Sequence, residues 1–307
     1  MRRPLKSSPA TREARQTVLM KRMAVTLLVG VLAGWLPSSA GAAAGDPDEV
    51  AKEFVKACWA VAHGDASGRQ TLDGLMAAPN WATRQLVFEA ALKESPWMFD
   101  SYANGGDPAT AEPAVAGTEM MAVPRFEIGE LAKVSLTTSA SGTPRPVYLK
   151  KVGDAWKVAI VTPLCIGLTA ADGNPRDDLV ATATPEGAIH LLLEGCYLFI
   201  LGDQREGEKL CRAALVDPPS ETSWVRFVSC LKEKQIIFYS YAQGSTNEGQ
   251  YVNFDPTSFT VKITRTEKLG EEIKAFIASS GADNPRPFRS KVTPRGQLRI
   301  VEWSSIY

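Results

Sequence analysis

The chain has 307 residues, with 34 Lys+Arg balanced by 34 Asp+Glu, 2 His, 5 Cys and 45% hydrophobic residues. This is an ordinary globular composition, long enough for about two domains, and it excludes disordered and collagen-like classes. Two His and five scattered Cys leave little material for a zinc site, so no metal and no cofactor is expected.

Residues 24–36 read AVTLLVGVLAGWL, preceded by Lys21 and Arg22 and followed by small residues from Ser38 to Ala44. A basic start, a short apolar run and an A-x-A site are the pattern of a secretory signal peptide, here residues 1–44, with cleavage near Ala42 or Ala44. The apolar run is shorter than the roughly 20 residues a spanning helix needs. Translation from Met20 or Met23 instead of Met1 would give a leader of ordinary length, and an uncleaved anchor is the alternative reading. Without residues 1–44 the chain holds 27 bases and 33 acids, a net of −6. The basic footprint of a nucleic-acid binder is missing. No second long apolar run follows, so no transmembrane span is expected in the mature, exported chain.

The remainder repeats itself. Leu92–Gly105 (LKESPWMFDSYANG) and Leu231–Gly244 (LKEKQIIFYSYAQG) are identical at 8 of 14 positions. Cys58–Asp65 matches Cys196–Asp203 upstream, and Pro144–Val161 matches Pro285–Glu302 downstream. Three blocks in one order, at offsets of 138 to 141, predict two homologous domains. The first is placed at 45–168 and the second at 184–307, joined by a polar, Gly- and Pro-bearing linker at 169–183.

In chain order, Asp46-Pro47-Asp48-Glu49 predicts a helix start with a capping box. Val50, Phe54, Cys58 and Val61 follow at helical spacing, and Gly64 ends the helix. Thr184-Pro185 begins its counterpart, which Gly202 ends. Asp65 and Asp203 are predicted caps of second helices, the latter with Glu206 completing a capping box. Third helices are expected around Leu86–Leu92 and Val225–Leu231. Strands are then expected at Phe99–Tyr102, Lys133–Thr137, Val147–Lys151 and Trp156–Val161, and at Phe238–Tyr241, Phe259–Ile263 and Leu298–Val301. Gly153-Asp154 marks a hairpin. Ile273–Ile277 fits helix or strand. The fold class is α+β, with two homologous domains, each of N-terminal helices followed by an antiparallel sheet. A helical layer on a curved sheet, as in NTF2-like or cystatin-like folds, suits this order.

Catalytic signatures are absent: there is no G-x-S-x-G, H-E-x-x-H, P-loop or G-x-G-x-x-G opening a helix. His63 and His190 have no counterparts in the other repeat and are read as surface residues. Arg145 and Arg286 each lie in Pro-Arg-Pro, where a Pro on either side stiffens the loop. Such an Arg can present its fork to a carboxylate or phosphate, or staple the loop to an internal acid such as Asp283. Tyr102 and Tyr241 follow Ser in F-x-S-Y-A and either line a pocket or pack in the sheet. Trp156 and Trp303 are expected in cores. Among the cysteines, Cys211–Cys230 and Cys58–Cys165 are the disulfide candidates, against buried thiols as the simpler reading.

Nothing in the sequence matches a characterised family closely enough to transfer an activity. The expectation is a soluble exported protein that binds and does not catalyse, with any ligand contact at Arg286, Asp283 and Tyr241. Its partner would be an envelope protein or a small ligand. An enzyme with its site in a sheet-lined cavity and a structural envelope component are the competing readings.

Overall fold

A computed structural model describes residues 45–77, 92, 95–103, 106–107, 110–123, 125–166, 168, 184–217, 219–245, 251, 254–280, 284–294 and 296–302. The expected leader, the expected linker, most of the third helix expected around Leu86–Leu92, Asp283 and Trp303 lie outside the described residues. The body from Ala44 onward is one compact unit.

The first helix, α1 (Pro47–Ala62), begins at Asp46, whose side chain accepts the Asp48 backbone N–H at 3.1 Å. It buries Val50, Phe54, Cys58 and Val61 on one face and keeps Glu53 and Lys56 in solvent. Asp65 caps α2 (Ala66–Leu75) through the Ser67 N–H. Two short helical pieces follow: α3 (Trp97–Asp100) and a 3₁₀ turn at Ser101–Ala103. Strands β1 (Val115–Met121), β2 (Leu131–Leu136), β3 (Arg145–Val152) and β4 (Ala155–Ile160) form an antiparallel sheet in sequential order, and α4 (Thr162–Cys165) closes this half.

The second half runs α5 (Pro185–Ile200), α6 (Gln204–Ala213), α7 (Glu221–Glu233) and α8 (Gln235–Tyr239). The sheet β5 (Ile263–Leu269), β6 (Glu272–Ile277), β7 (Arg286–Val292) and β8 (Leu298–Glu302) then follows, again antiparallel and sequential. The α+β class is therefore as expected, with two four-stranded sheets.

The two halves share small irregularities. One register shift falls between Val115 and Gly117 in the first sheet and between Ile263 and Arg265 in the second. Another falls at Tyr148/Leu149 and at Arg289/Ser290. Met76 forms a parallel bridge to Val158, as Leu215 does to Ile300. In each half the first two helices cross at a glycine. A Cβ on Gly68 would lie 2.8 Å from the Ala57 carbonyl, and one on Gly207 would lie 2.7 Å from the Gly195 carbonyl.

Several local expectations need correcting. Phe99–Tyr102 is helical, and Phe238–Tyr241 ends a helix at Tyr239 and continues as a turn; neither is a strand. Short apolar runs do not separate helix from strand by period alone. Here Ser101 and Ser240 hydroxyls donate back to the Met98 and Ile237 carbonyls, at 2.5 and 2.6 Å, and close single turns. Of Phe259–Ile263, only Ile263 enters a named strand; Val261 makes an isolated bridge to Ala242. The ambiguous Ile273–Ile277 segment is strand. Pro-Arg-Pro is not a loop: Arg145 and Arg286 open β3 and β7, since residues flanked by Pro are held extended.

The decisive difference between the halves is burial of α5. Its residues 191–199 are all buried, whereas α1 keeps a polar face. A helix apolar on nearly all sides must be covered on nearly all sides. The first sheet supplies that cover. Ala132, Val134, Val147, Leu149 and Val158 point into the core around α1, while the alternate residues Leu131 and Tyr148, with Ile160 beyond the register shift opposite Tyr148/Leu149, join the core around α5.

Candidate functional site

The Tyr–Arg pairs singled out in the sequence are fates apart. Arg145 is 1% exposed. Its Nε donates to the Pro163 carbonyl at 3.1 Å, and the Tyr102 hydroxyl donates to the neighbouring Leu164 carbonyl at 2.7 Å. The pair thus clamps α4 against the sheet through two consecutive backbone carbonyls. Arg145 Nη2 is buried with no hydrogen-bond partner. Burial pushes the Tyr102 hydroxyl far above its ordinary range, with the Arg145 charge working against that shift. No internal acid is needed to hold Arg145.

In the second half Arg286 is exposed at the start of β7. Tyr241 is 2% exposed, and its ring stands edge-on to Phe288 with centroids 6.1 Å apart. Burial pushes its hydroxyl up to about 12, again opposed by the nearby Arg286 charge. The structure therefore brings Tyr241 near Arg286 as the first half brings Tyr102 near Arg145, but the second guanidinium faces water.

Around Tyr241 lies a run of hydroxyls. Ser240 Oγ and Ser279 Oγ are 2.8 Å apart, and Ser280 Oγ is 3.2 Å from both Ser245 Oγ and Tyr251 Oη. Part of this run is architectural. The first half repeats it as Ser101 Oγ to Thr138 Oγ1 at 2.5 Å, and the Ser139 and Ser280 backbone N–H groups both donate at 2.9 Å, to Ser101 and Ser240. What the second half adds is Ser245 and Tyr251, the latter held at φ 63°. That left-handed backbone is strained for a bulky aromatic residue.

The seam between the halves was not anticipated. Asp203 caps α6 through the Glu206 N–H and also accepts the Tyr148 hydroxyl at 2.7 Å from β3. Lys133 of β2 pairs with the same Oδ2. Burial raises the Asp203 pKa, but Lys133, Tyr148 and the Glu206 N–H together outweigh it and hold the carboxyl below its ordinary range. Glu206 is 4% exposed; its Oε1 is 2.9 Å from Lys209 Nζ, so it answers a lysine and not the helix cap. The β1–β2 connection, residues 122–130, adds an arm. Phe126 packs edge-on against Tyr239 and Phe254, at 5.4 and 5.9 Å, and Arg125 donates to Gln235 at 3.1 Å. The equivalent β5–β6 turn is only residues 270–271.

His63 is exposed, stacks on Trp59 at 4.4 Å and sits 3.5 Å from Asp100. His190 is not a surface residue: its side chain is 13% exposed, stacks on Phe259 at 4.1 Å and lies 3.7 Å from Glu194. It is drawn inward because α5 is covered on both sides. Trp156 is a core residue as expected. All five cysteines are thiols; four are buried and Cys230 is half-buried. The pairs Cys211–Cys230 and Cys58–Cys165 are not bonded in the structure. The sulfur in contact with Cys211 is that of Cys196, at 4.0 Å.

Among the described residues, two of the clefts open on the second half. One, of about 1440 Å³, lies at the turn end of its sheet among Asp217, Lys268, Glu271, Lys291 and Arg299. The other, of about 400 Å³, lies between α6 and α7 beside Arg205, Glu208 and Trp224. Neither is lined by His or Cys. Among the described residues no group of three or more His, Cys, Asp or Glu is placed to hold a metal ion, and no helix is long and apolar enough to cross a membrane.

Compared with known proteins, residues 178–307 are similar to a family described as a domain of unknown function, DUF6935. No curated protein and no solved structure matches the chain.

Proposed function

We propose that the chain is an exported, non-catalytic binding protein built by duplication of one α+β domain, over 45–168 and 184–307, with 169–183 as linker. The shared sheet order, bulges and glycine crossings support the duplication. The leader pattern of residues 1–44 supports export. The first half is the platform and the second half presents the ligand surface. One observation carries this division: Arg145 is enclosed and committed to a backbone carbonyl, whereas its counterpart Arg286 stands exposed. An exposed guanidinium whose charge reaches the Tyr241 hydroxyl suits a carboxylate or phosphate group on the ligand, to which its planar fork donates two parallel hydrogen bonds. The similarity of residues 178–307 to a family of their own fits a second half that stands as a recognisable module.

The test is a thermal-shift screen of residues 45–307 against inorganic phosphate, sugar phosphates, cell-wall fragments and short peptides. A ligand of the folded state raises Tm by mass action. The expected result is a shift lost in Arg286→Ala and retained in Arg69→Ala, an exposed arginine of the first half. A shift retained in Arg286→Ala overturns the assignment. Arg145→Ala is no control, because it removes a buried clamp and lowers Tm with or without ligand.

A further inference from the structure

Cys196 and Cys211 sit on adjacent helices of the second half, both fully buried, with sulfurs 4.0 Å apart. The backbones there are unusually close. A Cβ on Gly195 would lie 2.7 Å from both the amide N and the Sγ of Cys211. Gly207, one turn before Cys211, lies as close on the other side: its Cβ would meet the Phe199 N at 2.5 Å. The two glycines let α5 and α6 approach until the sulfurs touch. The equivalent crossing in the first half has Cys58 and, at the place of Cys211, Leu72, so only the second half carries a sulfur pair there.

We propose that Cys196 and Cys211 are joined by a disulfide when the chain folds under oxidising conditions. Sulfurs in contact on two packed helices need only side-chain rotation to reach bonding distance, about 2.05 Å. The bond forms by exchange with a small disulfide such as oxidised glutathione. A thiolate of the pair attacks the donor disulfide and releases one glutathione thiolate. The second cysteine then attacks the mixed disulfide and releases the other. Two protons leave the protein thiols, the pair is oxidised by two electrons and the glutathione disulfide is reduced to two thiols. The exchange belongs to folding and not to the finished fold. In the folded chain both sulfurs are shut from solvent, and burial pushes the Cys196 thiol well up, away from the reactive thiolate. Once formed, the bond is shielded by the same packing and pins the α5–α6 hairpin. Cys58, Cys165 and Cys230 remain thiols.

In the cell this rests on the export reading, which supplies an oxidising compartment. The experiment avoids that dependence. The full-length chain is reduced in denaturant, refolded with reduced and oxidised glutathione, denatured again and alkylated. The expected result is three alkylated cysteines of the five and one cross-linked peptide joining Cys196 to Cys211. The oxidised protein should also melt several degrees above the reduced one, a difference abolished in Cys211→Ala. Five alkylated cysteines, a glutathione adduct on either residue, or a bond between any other pair overturns the proposal. A chain found in the cytosol would overturn export and leave this readout standing.

Discussion

Tyr148 and Arg289 occupy the same place in the two sheets. Each sits beside the shared register shift, paired across to Ile160 and Glu302 respectively. Leu131 and Glu272 correspond in the same way, opposite Lys150 and Lys291. On the first sheet the three outward positions are Leu, Tyr and Ile, each no more than 1% exposed. On the second they form an ion triad, with Arg289 Nε 2.9 Å from Glu302 and 3.5 Å from Glu272. One backbone thus serves two surfaces. Burying three large apolar side chains stabilises by about 1.5–3 kcal/mol each. The half-exposed ion pairs contribute roughly 0–1 kcal/mol each and keep their face in water. The helices differ in the matching sense: α5 is covered where α1 is polar. The outer face of the first sheet is therefore covered, while the matching face of the second carries paired charges in contact with water.

The sharpest way to break this comparison is to exchange its residues. Ile160→Glu places an unpaired carboxylate in the seam and should cost about 4 kcal/mol or abolish folding. The reverse exchange, Glu302→Ile, removes an ion pair on a solvent face and should change stability by less than about 0.5 kcal/mol. Urea unfolding midpoints at equal slope measure both. Similar losses from the two substitutions would mean that the outer faces are not in different surroundings.

A smaller effect tests the polar lock of the seam. The Asp203 carboxyl is held below its ordinary pKa by Lys133, Tyr148 and the Glu206 N–H, against its burial. A depressed folded pKa gives stability that is full above the unfolded value near 4 and is lost as pH falls through the lower, folded value. Asp203→Asn should lose about 1 kcal/mol at neutral pH and show a shallower loss of stability below about pH 4. An acid limb as steep as in the parent chain would place the pH sensitivity elsewhere.

Much of this fold could be read from the residues. The helix caps at Asp46, Asp65, Thr184 and Asp203 are local chemistry, and each is made. The hairpin around Gly153 is local too. The helical turn at Phe238–Tyr239 was hidden because a four-residue aromatic run has no resolvable period. The covered sheet was visible in principle: the two halves, aligned, show Tyr148 against Arg289 and Ile160 against Glu302, an apolar-to-charged exchange on one face. Reading it requires the strand register, which a sequence does not carry. Arg145 shows the limit at the site. Pro-Arg-Pro looks the same in both halves, and only the chain after β4 decides that one arginine is enclosed. The contact of Cys196 with Cys211 depends on two glycines that let helices touch, a packing fact invisible in cysteine spacing.

The central claim is that the halves are joined through the outer face of the first sheet into a single folding unit. Differential scanning calorimetry of residues 45–307 tests it most directly. The account predicts one transition, with calorimetric and van't Hoff enthalpies equal. Two resolved transitions, each carrying about half the enthalpy, would contradict it.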